Sequence, residues 1–159
     1  NGHIQQGEVA FIKVGDLQLK GEVIEIGKGE AKVQVFEDTR GVELGTEVVF
    51  SGGLLEAELG PGLLTGIIDG LQNPLEEVAK VSGYFLPRGI YLPPLDRQKL
   101  WDYKPKAAIG DVLVRGDSIG STLEGRFEHQ IMVPFSLYGR YEITWAISHG
   151  LYNVDTVVA

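Results

Sequence analysis

The chain has 159 residues, 43% hydrophobic and 23% charged, with a formal net charge of −8 and no cysteine. The missing cysteines remove disulfides, thiolate metal sites and cysteine nucleophiles together. With 14 Lys and Arg scattered among 22 acids there is no basic face to neutralise phosphates, so a nucleic-acid partner is not expected.

No stretch approaches the run of about 18 apolar residues that a membrane-spanning helix needs, so no bilayer insertion is expected. The opening NGHIQQGEV has neither the basic nor the apolar region of a signal peptide. The 22 glycines and 7 prolines are spaced along the chain, as turns between many short strands would be.

Residues 17–50 read as a β meander. KGEVIEI and AKVQVFE are short Val- and Ile-rich runs joined by Gly27-Lys28-Gly29-Glu30, a hairpin-type turn. In the second run Ala31, Val33 and Val35 alternate with Lys32 and Gln34, which predicts one buried and one wet face. Asp38-Thr39-Arg40-Gly41 and Leu44-Gly45 mark further turns, and TEVVFSGG closes the set as a small barrel or sandwich.

The period then changes. Leu63, Leu64, Ile67, Ile68 and Leu71 stand at helical spacing within a glycine-rich stretch, ELGPGLLTGIIDGLQNPLEE. Asn73-Pro74-Leu75-Glu76 has the form of a helix start, with Asn73 as the cap, and predicts a short helix from Pro74 to about Val81 that stops before Gly83. Residues 84–108 hold four prolines and neither period. They read as an extended connector, whose Tyr84, Phe85, Trp101 and Tyr103 suggest that it packs on something. From Ile109 the pattern is β again, through GDVLVRGDSIG, HQIMVPF, GRYEITWAI and DTVVA. The expected fold is therefore mainly β: a small N-terminal β-barrel over 1–65, a partly helical joint over 66–87 and a second β unit over 88–159. Both ends resemble cuts, with the last residues in mid-strand.

Gly60, Gly62, Gly66 and Gly70 raise the question of a phosphate loop. Such a loop needs G-x-x-x-x-G-K-[ST], whose Lys and hydroxyl reach phosphate and magnesium, and no Gly-Lys-Ser or Gly-Lys-Thr follows. No βαβ unit surrounds the glycines as a dinucleotide fold would require. Gly60, Gly62 and Gly66 are expected to serve backbone geometry, letting the chain turn sharply from strand into short helix. GDSIG (116–120) matches G-x-S-x-G in form, with His129 and His149 downstream, but no amphipathic helix follows Ser118 to make a nucleophile elbow. His3, His129 and His149 share no metal-ligand spacing. The acidic pairs Glu37-Asp38, Glu56/Glu58 and Glu76-Glu77 fall at turns or a helix start, where carboxylates serve local needs. Catalytic, cofactor-binding and metal-binding residues are accordingly predicted to be none.

The C-terminal unit resembles a biotinyl/lipoyl-like β-sandwich in its G-D-x-V-x-x-G-D-x-[IL]-G, V-P and G-x-[YV]-x-I rhythm. Those carriers present a lysine at a hairpin tip before the V-P strand. This chain has EGRFEHQIMVP there and no lysine after Lys106, so a stand-alone binding module of that fold, without its modified lysine, is the alternative reading.

Taken together, the segments resemble the catalytic A subunit of V-type and A-type rotary ATPases. FLPRGIYLPPLDRQKLWDYKP is similar to that family's P-R-G-x-x-x-P-x-L-[DS]-R-x-x-x-W-x-[FY]-x-P, and GDVLVRGDSIG and HQIMVP are similar to motifs of its bulge domain. KGEVIEI through NPLEEV resembles the end of the family's N-terminal barrel and the passage out of it. Here His129-Gln130 stands where the family usually has H-K, and Leu71-Gln72-Asn73-Pro74 where it has I-Q-R-P.

The resemblance implies a parent that couples ATP hydrolysis or synthesis to H+ or Na+ transport, with ATP and Mg2+ bound outside this fragment. It places the family's phosphate loop and catalytic Glu beyond Ala159, and its first barrel strand ahead of Asn1. It also implies B-subunit and peripheral-stalk partners and a cytoplasmic location, peripheral on the membrane.

Overall fold

The computed structural model describes residues 3–64 and 66–159 and forms two compact units with interleaved sequence. The first takes the chain up to Ala57 and then Asp69–Leu92; the second takes Glu58–Ile68 and Pro93–Ala159.

In the first unit β1 (Glu8–Val14), β2 (Leu17–Ile26), β3 (Ala31–Val35) and β4 (Val48–Leu54) form one antiparallel sheet in the order β3-β2-β1-β4. A two-residue turn at Gly15-Asp16 joins β1 to β2, and Gly15 takes the positive φ of 60° that this turn type asks of its first residue. On β2 Leu19, Gly21 and Val23 share a buried face with Ala10 and Ile12 of β1, which lie opposite Gly21 and Leu19, while Val9 is buried on the other face. Gly21 has to be a glycine, because a Cβ there would lie 2.7 Å from the Gln34 carbonyl oxygen.

The simple meander is corrected here. EVAFIKV, outside the predicted set, is the inner strand β1, and β4 pairs with β1 instead of continuing from β3. Ala31, Val33 and Val35 do alternate with Lys32 and Gln34, half-buried against exposed.

The expected helix is present as α1 (Leu75–Ser82), with its C-terminal Gly83 at φ 72°. Its start differs from the prediction. Pro74 is the cap residue and no side chain caps the helix. Asn73, only 6% exposed, turns its amide elsewhere. The period over Leu63–Leu71 gives no helix: the described residues there form turns, a bend, a bridge at Ile68 and irregular chain, with Leu64 and Ile67 largely exposed. Glycines at 62, 66 and 70 make helix costly, and the isolated period of so short a run cannot offset that.

In the second unit β5 (Trp101–Pro105), β7 (Ser118–Glu124), β8 (Phe127–Met132) and β10 (Gly150–Tyr152) form an antiparallel sheet in the order β10-β5-β7-β8. β6 (Val112–Leu113) and β9 (Tyr141–Glu142) pair as a small second sheet. The connector reading is thus overturned at 101–105, where the chain is an inner strand that buries Trp101 and Tyr103. Tyr84 and Phe85, by contrast, are almost wholly exposed. Residues 155–159 form no strand, although Ile147 N–H donates to Val158 O at 3.0 Å. Gly120 faces Tyr103 so closely that a Cβ would sit 2.5 Å from the ring Cζ.

Candidate functional site

The glycine-rich stretch binds an anion, and the anion belongs to the protein. Glu124, at the end of β7 and only 3% exposed, accepts hydrogen bonds from Gly62 N–H at 2.8 Å and Leu64 N–H at 3.0 Å on one oxygen, Oε1. Two backbone amides aimed at one oxygen are what a phosphate would seek. Here the carboxylate fills them, and the negative charge already present would repel a phosphate. The glycines make the approach possible. Gly62 has φ 116°, a conformation L side chains rarely adopt, and a Cβ on Gly60 would lie 2.7 Å from Leu95 Cδ1. Gly66 has no such constraint from φ or a close neighbour, and Gly70 has open space around it. The geometric reading of the glycines is therefore carried by Gly60 and Gly62. The second Glu124 oxygen has no hydrogen bond among the described residues, and His129 Nδ1 stands 3.4 Å from it.

Ser118 lies within β7, and its hydroxyl is 2.8 Å from Gln130 Oε1 and 3.1 Å from Gly120 O, acceptors that cannot serve as a general base. His129 sits opposite Thr122 on the neighbouring strand and turns to Glu124, while His149 Nε2 is 2.7 Å from Asp102 Oδ1. His3 is exposed. No nucleophile–base pair is assembled from Ser118 and these histidines. Of the acidic pairs, Glu58 joins Arg97, which also meets Asp155 at 2.6 Å, and Glu77 pairs with Lys80. Among the described residues no three His, Asp or Glu side chains converge as a metal site.

Glu37 has a larger role than its place at a turn suggested. Its Oε1 accepts Gly89 N–H at 3.0 Å and its Oε2 accepts the Tyr91 hydroxyl at 2.7 Å, while that hydroxyl accepts Lys20 N–H at 2.7 Å. Burial, then the hydrogen bond to Glu37, pushes the Tyr91 hydroxyl well above the usual phenol range. Arg88 donates to the carbonyls of Asp38 and Arg40. Asn73 Nδ2 donates to Asp69 Oδ2 at 2.9 Å, and Asn73 Oδ1 accepts Leu92 N–H at 3.0 Å. The Tyr91, Gly89 and Arg88 bonds fasten residues 88–91 to β2 and to the 37–40 segment after β3, and the Asn73 bonds tie the 69–73 turn to Leu92. They border a cleft of about 580 Å³ whose apolar lining includes Phe36, Leu71, Val78 and Ile90. Sequence reasoning missed Glu124, Tyr91 and Asn73 as tertiary struts, because nothing local marks a side chain whose partner lies tens of residues away.

The chain is made of two small antiparallel β units, and within the second a buried carboxylate holds two backbone amides of the glycine-rich stretch. The chain belongs to the ATP synthase alpha/beta family: residues 3–52 match that family's beta-barrel domain and residues 92–159 its alpha/beta subunit barrel-sandwich domain. It is 66% identical over 158 residues to the V-type ATP synthase alpha chain of Protochlamydia amoebophila (strain UWE25), covering 99% of this chain and 27% of that protein. The corresponding alpha chain of Chlamydia caviae is 59% identical over 159 residues, covering 100% of this chain and again 27% of the relative. That of Chlamydia abortus is 58% identical with the same coverage. The chain thus spans about a quarter of the length of the curated relatives it matches. No helix among the described residues is long and apolar enough to cross a membrane.

Proposed function

We propose that this chain is the N-terminal, non-catalytic part of the A subunit of a V/A-type rotary ATPase. In this reading the whole subunit binds ATP with Mg2+ and couples its hydrolysis or synthesis to movement of H+ or Na+, peripherally on a membrane and in the cytoplasm. In this reading the subunit's domains run along the sequence as a barrel over 1–65, a joint over 66–87 and a bulge domain over 88–159, although in compactness 58–68 go with the second unit and 69–92 with the first. The barrel joins B subunits in the crown of an alternating hexamer, and the bulge offers an outer face to peripheral-stalk subunits. Two rigid β units joined by a short segment suit bracing, since they hold neighbours while the joint absorbs small movements.

The observation that carries the non-catalytic reading is Glu124 on the Gly62 and Leu64 amides, which takes up the donor pair a phosphate would use there. The family match supports the rest. Titrating the chain with Mg-ATP by calorimetry tests it: no heat of binding is expected, and micromolar affinity would overturn the non-catalytic assignment. Crown assembly is tested by co-purification of the whole subunit with B subunits. Removing residues 3–52 is expected to abolish the hexamer, and undiminished assembly would sink the crown role.

A further inference from the structure

Three buried side-chain atoms of the second unit have no hydrogen-bond partner among the described residues: Trp101 Nε1, Thr122 Oγ1 and Glu124 Oε2. Their residues are 8%, 3% and 3% exposed. All three side chains belong to one face of the sheet. Thr122 and Glu124 stand two apart on β7 and so point the same way. Lys104 lies opposite Ser121 in the β5–β7 ladder, and alternation then puts Tyr103 and Trp101 on the face of Thr122 and Glu124. A Cβ on Gly120, another residue of that face, would meet the Tyr103 ring, as this placement requires.

Measured contacts draw the group together. Gly62 N–H donates to Glu124 Oε1 at 2.8 Å, and a Cβ on the same Gly62 would lie 3.4 Å from Trp101 Cζ2, the ring carbon two bonds from Nε1. The indole therefore lies beside the carboxylate. His129, opposite Thr122 on β8, reaches the same carboxylate, with Nδ1 3.4 Å from Glu124 Oε2.

We propose that this face holds one buried water molecule, which accepts the Trp101 indole N–H, donates to Glu124 Oε2 and bonds Thr122 Oγ1. Buried polar groups without partners are costly, and internal waters are found where about three of them converge. The chemistry of the three groups selects the occupant. The indole only donates, the carboxylate only accepts, and the hydroxyl does either. A metal cation or an ammonium group cannot accept the indole N–H, and an anion would meet the charge of Glu124. Water both accepts and donates, so it serves all three at once. Glu124 then gains a third fastening: Oε1 holds the two amides of the 58–68 stretch, while Oε2 is linked through the water to Trp101 on β5. The site lies wholly within the second unit and uses no partner of a larger assembly, so it goes beyond the subunit reading and does not depend on it.

Water contacts of the two indole N–H groups in the isotope-labelled chain test this. Trp145, 52% exposed, serves as the internal reference. The Trp101 Hε1 is expected to show water NOE and ROE peaks of opposite sign, the mark of a held water, and Trp145 Hε1 only those of fast hydration. The Thr122 hydroxyl proton, exchanging with solvent, would give the same peak, so Thr122→Val is measured beside the parent chain. The Trp101 peak is expected to persist there, because indole and carboxylate still hold the water. Its disappearance would assign the peak to the hydroxyl and overturn the proposal. A crystal structure that shows ordered water reads the site in the parent chain and does not depend on the variant folding. Density within hydrogen-bond distance of both Trp101 Nε1 and Glu124 Oε2 is the expected result. A direct bond between those two atoms would overturn it. So would Oε2 taken in place of water by His129 or by Lys99, whose ammonium lies 4.1 Å from the Trp101 ring centre. A Trp101 Hε1 with the fast hydration of Trp145 would overturn it as well.

Discussion

Glu8 in the first unit and Glu124 in the second are both almost wholly buried, at 2% and 3% exposure, and both are held by backbone amides. Glu8 divides the work. Its Oε2 accepts Gln5 N–H at 3.0 Å and its Oε1 accepts Gly52 N–H at 2.7 Å. Glu124 puts both of its amides on Oε1 and leaves Oε2 beside His129 without a hydrogen bond among the described residues. A buried carboxylate is tolerated only where donors replace its water, and peptide N–H groups serve well because they are fixed and otherwise need acceptors of their own. The pair shows one fastening device used twice, once with each oxygen bonded and once concentrated on a single oxygen.

Removing the concentrated version is expected to cost most. Glu124→Ala leaves Gly62 N–H and Leu64 N–H without their acceptor and frees residues 58–68 of the second unit. A loss of about 3 kcal/mol is expected, the sum of two charge-assisted bonds after partial rehydration. Urea unfolding followed by far-ultraviolet circular dichroism, which reports the strands of both units, reads it. Glu124→Gln keeps an oxygen for the two amides and should cost clearly less. If the two variants were equally destabilised, the amide bonds would not be what holds the stretch.

Glu8→Ala comes next, at about 2 kcal/mol. Gln5 and Gly52 lie on exposed backbone, where water can take over the vacated N–H groups, whereas Gly62 is half-buried. The same unfolding measurement decides. A larger loss at Glu8 than at Glu124 would reverse the ranking and show that two separately bonded oxygens fasten more strongly than one shared.

How far the sequence shows these arrangements depends on how local their causes are. The 31–35 alternation and the stop at Gly83 are local, and both are present in the structure. The strand Trp101–Pro105 was hidden because Pro105 and its proline-rich approach disguise a segment whose pairing partners, β10 and β7, lie elsewhere in the chain. Asn73 looks like a helix cap because Pro74 and Glu76 follow it, yet its amide is claimed by Asp69 and Leu92. Tertiary partners outbid a local motif there. Glycines show the same division. Gly83 is legible as a helix stop, but Gly21 and Gly120 are required by a carbonyl and a ring on neighbouring strands, which no single-strand pattern reveals.

Tyr91→Phe tests the first unit's other clasp, with an expected cost of about 1 kcal/mol. The hydroxyl serves both Glu37 and Lys20 N–H, so its loss unties residues 89–91 from β2. The folded state holds this phenolic proton more tightly than the unfolded state does. That contribution is present below pH about 10 and is lost as pH rises past it through the folded value. The stability gap between the parent chain and Tyr91→Phe should therefore be constant at neutral pH and shrink in alkali. A gap that stays constant far into alkali would mean that the hydroxyl proton is not the fastening element.

Asp69 gives the smallest expected effect and the opposite pH sense. Desolvation raises its pKa, but hydrogen bonds from the Asn73 side chain and from Asn73 and Leu71 N–H outweigh it and hold the carboxyl below the usual range. A lowered folded pKa means stability that is complete above the ordinary aspartate value of about 4 and lost as pH falls through the folded one. Asp69→Asn removes that titration. The melting temperature of the parent chain should fall faster than that of the variant below pH about 4, with a small constant offset at neutrality. Glu124, bound by the same kind of donor in the second unit, is untouched by the change, so any difference in acid response between the two chains belongs to the 69–73 turn. Parallel acid curves would assign that turn's order to backbone geometry alone and leave its carboxylate no share in it.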